Sequence, residues 1–184
     1  MISDDEFFDS VLSGANLLTK GRSMAGRGQR FVSAAAISNP IMFIMTIDTQ
    51  NPNQLRVVPD MSNHFYLADL SDEERYSLLQ RVDRFLNKTK IRRLAILKTS
   101  RGPSYFRATR PSVAMEEVLL NRKDIERRLV PPLTVSAWFN HNQVKVPLPE
   151  GPKLYKRFDN TRQQAIRLAV FVAHQSWDCV PDRR

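Results

Sequence analysis

The chain has 184 residues, 42% of them hydrophobic and 26% charged, a composition that fills one core and excludes an intrinsically disordered polymer. Its single cysteine, Cys179, excludes an internal disulfide and a cysteine metal cluster, and no apolar run approaches the roughly 18–20 residues of a membrane span. Twenty-eight Lys and Arg against nineteen Asp and Glu leave a formal charge of +9, an excess that attracts phosphate backbones or anionic lipid heads at long range.

The opening Met1-Ile2-Ser3-Asp4-Asp5-Glu6 is acidic and cannot act as the basic start of a secretory signal. The cytoplasm is therefore the expected compartment. Ser3 and Glu6 form a capping-box pattern, and acidic residues suit the first turn of a helix. Phe7, Phe8, Val11, Leu12, Ala15 and Leu18 then recur at three- and four-residue steps. This predicts an amphipathic helix within residues 1–19. Its stripe is expected either to pack on the chain's own domain or to dock on a protein partner or a second copy. Residues 20–30 hold three glycines and the cations Lys20, Arg22, Arg27 and Arg30. Gly26-Arg27-Gly28 lacks the Gly-Lys-Ser/Thr ending of a phosphate loop. A basic arm lying along a phosphate backbone is the better expectation, with Arg22, Arg27 and Arg30 as its contacts.

A single α/β domain is expected over 31–184. Arg30–Ile37 and Ile41–Asp48 are apolar, β-branched runs divided by the turn signal Ser38-Asn39-Pro40. The second run is almost continuously apolar, as a strand covered on both faces would be. Leu55–Val58 and His64–Ala68 suggest a third, edge-like strand region. Ser71-Asp72-Glu73-Glu74 is another capping box, opening a helix to about Asn87 whose core face is Leu78, Leu79, Val82, Phe85 and Leu86. Ile91–Lys98 follows as a short buried strand. After the polar loop at 99–110, Pro111 is expected in the first turn of a helix reaching about Leu129. Pro131-Pro132 reads as a break and Thr134–Phe139 as a strand. A last helix is expected from about Thr161 to Ser176.

The resulting order of three antiparallel strands, then α-β-α-β-α, resembles the ribonuclease H-like fold of the RuvC resolvase superfamily over roughly residues 30–176. The resemblance implies a mixed sheet of about five strands with helices on both faces. It also implies, for active members, carboxylates converging on two divalent metals that clamp the attacking and leaving oxygens. One belongs in the first strand, one at the end of the fourth, and one or more at the last helix. Here the first strand, Phe31–Ile37, has no acid, and the fourth ends in Lys98-Thr99. Only Asp159 stands where an acid is expected, and capping of the last helix explains it equally well. The resemblance therefore implies a degenerate, non-cleaving relative. A metal-dependent nuclease is the competing reading, should Asp48 prove a strand-end acid approached by Glu116 and Glu117. A helical Glu pair is ordinarily solvated surface.

Other chemistry finds little support. His64, His141 and His174 have no ligand at metal spacing, Cys179 lies near the end of the sequence without an oriented base, and no Gly-x-Ser-x-Gly elbow occurs. No cofactor or resident metal is expected. The richest local feature is residues 98–110, in which Lys98, Arg101, Arg107 and Arg110 stand among hydroxyls and beside Tyr105 and Phe106, with no acid. Cations and hydroxyls bind phosphates, and an aromatic ring stacks on an unpaired base. Arg122, Lys123, Arg127 and Arg128 are expected late in a helix, and Lys153, Lys156, Arg157, Arg162 and Arg167 form a second basic cluster. The expected function is non-catalytic binding of nucleic acid or a nucleoprotein. The alternative is a protein-interaction module, an adaptor, inhibitor or assembly subunit whose basic face meets an acidic protein.

Overall fold

The computed structural model describes residues 30–38, 40–51, 53–67, 71–99, 110–148 and 156–180. The predicted helix within 1–19 and nearly all of the basic linker lie outside the described residues. Six strands and four helices are described: β1 Phe31–Ser38, β2 Ile41–Asp48, β3 Arg56–Val57, β4 Asn63–Tyr66, α1 Asp72–Thr89, β5 Arg93–Leu97, α2 Arg110–Leu120, β6 Glu126–Val130, α3 Pro132–His141 and α4 Lys156–Ala173. No described helix is long and apolar enough to cross a membrane.

The strands form one mixed sheet in the order β3-β2-β1-β5-β6, with β4 also on β2. β1 and β2 are antiparallel over their whole length, Phe31 opposite Asp48 and Ser38 opposite Ile41. β5 runs parallel to β1, and β6 parallel to β5. The expected third strand is two short ones sharing the outer edge of β2, β4 beside Ile41–Ile44 and β3 beside Ile47–Asp48. Hydroxyls bridge the gap between them. Thr46 donates its hydroxyl to the Met61 carbonyl at 2.7 Å, and its backbone N–H donates to Ser62 Oγ at 3.0 Å. The Ser33 hydroxyl of β1 lies 2.8 Å from that of Thr46. With its one hydrogen directed at Met61, Thr46 is the acceptor in that pair.

Both faces of the sheet are covered. Ala34 and Ala36 of β1, Phe43, Met45 and Ile47 of β2, and Ala95 and Leu97 of β5 pack with Val135 of α3 and Ala165–Val172 of α4. The alternate residues, Ala35, Met42, Ile44, Leu94 and Ile96, pack with Leu78, Val82 and Leu86 of α1 and Met115 and Leu119 of α2. The period of two sends successive side chains to opposite layers. Continuous apolar runs are what a two-sided core demands.

Two expected elements are different. The helix begun near Pro111 stops at Leu120, and Glu126–Val130 is a strand. Arg127 therefore lies in β6, where its guanidinium donates to the carbonyls of Leu120, Arg122 and Ile125 and satisfies the end of α2. β5 needs a partner on its far side, and β6 supplies it with Leu129 buried in one layer and Val130 in the other. Thr134–Phe139 belongs to α3, not to a strand. Pro132 opens that helix, where a missing N–H costs nothing, and Val135, Trp138 and Phe139 meet the core at helical spacing. The last helix also begins earlier, at Lys156, which puts Asp159 in its first turn.

The capping box of α1 is formed as expected. The Glu74 N–H donates to Ser71 Oγ at 3.3 Å, and the Ser71 N–H donates to the Glu74 carboxylate at 2.7 Å. That backbone donor, with the Ser71 side chain, holds the Glu74 carboxyl below its usual range. Ser71→Ala should cost about 1 kcal/mol and lower the melting temperature by roughly 2–4 °C for a domain of this size, read by circular dichroism. A lowered carboxyl pKa adds stability above the ordinary value that is lost as pH falls through the lowered one. The advantage of the native chain over Glu74→Gln should therefore fade on acidification.

Candidate nucleic-acid interface

Because β1 and β5 are parallel, their C-terminal ends open on the same side of the sheet, the side on which open α/β sheets gather their sites. The β5 ladder ends at Lys98, whose N–H donates to the Val130 carbonyl at 2.9 Å. The next donor, the Thr99 N–H, has no strand to pair with. It donates instead to Oε2 of Glu116 at 2.6 Å, and the Thr99 hydroxyl donates to the same oxygen at 2.8 Å. Glu116 is 1% exposed and Thr99 is 7% exposed. The expectation of a solvated Glu pair thus holds for Glu117 and fails for Glu116. The missed signal was periodicity. Ser112, Met115, Glu116 and Leu119 lie at i, i+3, i+4 and i+7, and all four are buried.

Asp159 is at the same end of the sheet, on the other face. Its neighbour Phe158 packs edge-on to Tyr66 at 5.8 Å, and Tyr66 stands opposite Ile41, beside the β1–β2 turn. Asp159 Oδ1 accepts from Arg162 at 2.6 Å. The guanidinium of Arg162 is largely buried, and its Nε is the one buried side-chain polar atom without a partner among the described residues.

Asp48 lies at the opposite end, facing Phe31. The eight residues of β1 put about 23 Å between the two ends at the strand rise, so Asp48 cannot share a metal with Glu116. It pairs with Arg30 at 2.9 Å, and that hydrogen bond holds its carboxyl below the usual range. Arg30, expected in a phosphate-binding arm, is thereby engaged by Asp48 and lies 5.0 Å over the Phe31 ring. Among the described residues no three His, Cys, Asp or Glu side chains could hold a metal ion.

The expected binding residues are placed only in part. Lys98 stands half-buried at the end of β5, and Arg110 opens α2. Arg101, Tyr105, Phe106 and Arg107 lie outside the described residues, as do Arg22, Arg27 and the stripe of Phe7, Phe8, Val11, Leu12 and Leu18. The other basic clusters mostly hold the fold together. Arg122 pairs with Asp83 and with Asp124, the latter at 2.7 Å, and these bonds raise its pKa, that to Asp124 most. Arg128 donates to the Val180 carbonyl and, like Arg93, lies over the Trp177 ring. Arg167 covers Phe139 at 4.5 Å.

Solved structures share this arrangement of strands and helices. The structure of Thermus thermophilus RuvC superposes with a TM-score of 0.54 at 12% identity, over 77% of this chain and 93% of that one. T. thermophilus RuvC in complex with a Holliday junction substrate superposes with a TM-score of 0.59 at 13% identity, over 79% and 94%. The fold is the RuvC-like ribonuclease H fold. At this identity the likeness is one of fold. No protein-family model and no curated protein matches the sequence. The RuvC-like sheet carries, at the end of β5, a lysine and a threonine whose backbone is tied to a buried glutamate.

The Thr99–Glu116 contact should matter to stability. Glu116→Ala leaves the Thr99 N–H and hydroxyl without their acceptor, which costs about 1–3 kcal/mol. Thr99→Val should cost less, and Thr99→Ser should recover most of that loss. Urea midpoints of the three variants check the order.

Proposed function

We propose that this chain binds nucleic acid at the C-terminal end of its central strands and does not cut it. The observation that carries the reading is the composition of that end. A lysine closes β5, and the two acids described there are engaged by the chain itself, Glu116 by Thr99 and Asp159 by Arg162. Two-metal cleavage needs carboxylates free to converge on the ions. Binding needs cations and donors, and these are present. The formal charge of +9 supplies long-range attraction, and a structural counterpart of the same fold holds a Holliday junction substrate.

Residues 98–110 are the proposed contact, anchored at one end by Thr99 on Glu116 and at the other by the start of α2. Lys98, Arg101, Arg107 and Arg110 would neutralise phosphates, and Tyr105 or Phe106 would stack on an unpaired base. Replacing Arg101, Arg107 and Arg110 together by alanine should reduce the slope of log affinity against log salt by about 2–3. The loss should be uniform across sequences. Tyr105→Ala should cost single-strand binding on the order of 1–3 kcal/mol and duplex binding less. Fluorescence titrations of single-stranded, duplex and four-way-junction DNA at several salt concentrations measure both. An unchanged slope in the triple variant removes this loop as the contact surface. Absence of salt-dependent binding to every nucleic acid refutes the reading itself.

A further inference from the structure

Most cations described above have partners inside the fold. The second half of α1 is different. Arg81, Arg84 and Lys88 are exposed, and helical geometry gathers them within an arc of about 60° over a rise of about 10 Å. The arc faces away from Leu78, Val82 and Leu86, the buried side of the helix. Among the described residues none of the three has an ion pair or side-chain hydrogen bond. Their neighbours at three and four positions are one another, Arg81 with Arg84 and Arg84 with Lys88, a spacing at which like charges destabilise a helix. The helix dipole accounts for a cation in the last turn, such as Lys88, but fades before Arg84 and Arg81. Asp83, the acid in this stretch, is turned aside to Arg122.

Lys90 extends the row. It takes the left-handed conformation at the helix C-cap, with φ of 54°, a position where glycine avoids the side-chain clash. A cation stands there instead. Ser77, Gln80 and Asn87 flank the row and the exposed Tyr76 lies about a turn before it, so the row itself carries no aliphatic side chain of the kind a membrane-inserting helix face uses. Regular positive charge on a rigid helix with polar surroundings matches a phosphate backbone.

We propose that the outer face of the second half of α1, with Lys90 beyond it, is a second phosphate-backbone contact. This rests on the nucleic-acid reading and adds to it. Lys90 leads through Ile91 and Arg92 into the start of β5, so the surface approaches the end of the sheet opposite Thr99. A nucleic acid that reaches both must run along the α1 side of the molecule.

The test uses the full chain carrying Arg81→Gln, Arg84→Gln and Lys88→Gln together, titrated with a labelled DNA duplex across a range of salt. The salt slope should shrink by about 2–3, while the melting temperature holds or rises as the repulsion is removed. Lys90→Gly should raise the melting temperature and reduce the slope by about one, a combination that a purely structural lysine would not produce. An unchanged slope in the triple variant, with slope lost in the variant of Arg101, Arg107 and Arg110, overturns this surface and leaves the nucleic-acid reading standing. If the native chain binds no nucleic acid in a salt-dependent way, both fall.

Discussion

β1 and β5 lie side by side in the middle of the sheet with helices packed on both faces, and that double burial constrains the rest of the molecule. A strand in this position can carry only apolar side chains or fully satisfied polar ones. Ser33 meets the requirement through Thr46, and Thr46 through Met61 and Ser62. Chemistry with a ligand is confined to the strand ends. Ala34 and Ala36 of β1, both fully buried, leave room on one face of the sheet for the bulkier residues of α4, and Ala35 faces the other layer. That close packing brings the start of α4 to the same end as Thr99.

At that end the fold must resolve a local problem. β5 runs out of partners after Lys98, and the Thr99 N–H would be buried without an acceptor. Glu116 supplies one from α2, tying the strand end to the helix. The same contact occupies Glu116, the one deeply buried acid among the described residues. The charge pattern follows a similar division. Cations near β6 and the C-terminal turn brace the fold through carbonyls, carboxylates and the Trp177 ring, whereas Arg81, Arg84 and Lys88 of α1 have no such partner among the described residues.

Much of this architecture was legible in the sequence, for physical reasons that differ by element. Ile41–Ile47 reads as a doubly covered strand because nothing in it is polar except Thr46. α1 is announced by Ser71 and Glu74 and sustained by Leu78, Val82 and Leu86. The topology is recognisable as RuvC-like even though the run at Thr134–Phe139, and not Glu126–Val130, reads as the strand that follows α2. β6 was hidden because Glu126, Arg127 and Arg128 look like a solvated helix face. Their exposure pattern makes sense only once β5 is seen to need an edge partner and α2 a capping guanidinium. α3 was hidden because a short apolar run preceded by two prolines fits a strand or a helix equally well. Glu116, beside Glu117, reads from the sequence as solvated surface, whereas it is 1% exposed. Its place on the buried stripe of α2 was readable, but its acceptor role depends on Thr99, seventeen residues away and visible only when β5 and α2 are packed together. The α1 row was readable as helical spacing, yet its meaning depends on knowing that Asp83 turns to Arg122.

Binding of nucleic acid without cleavage is the property proposed for this RuvC-like domain. The most direct measurement places end-labelled four-way junction, duplex and single-stranded DNA with the full chain in magnesium or manganese, at protein concentrations that retard the same substrates in a gel. The expected result is retarded complexes whose DNA is recovered intact at every time point. Metal-dependent nicking that disappears in Glu116→Gln, Asp159→Asn or Asp48→Asn would contradict it and identify the acid responsible.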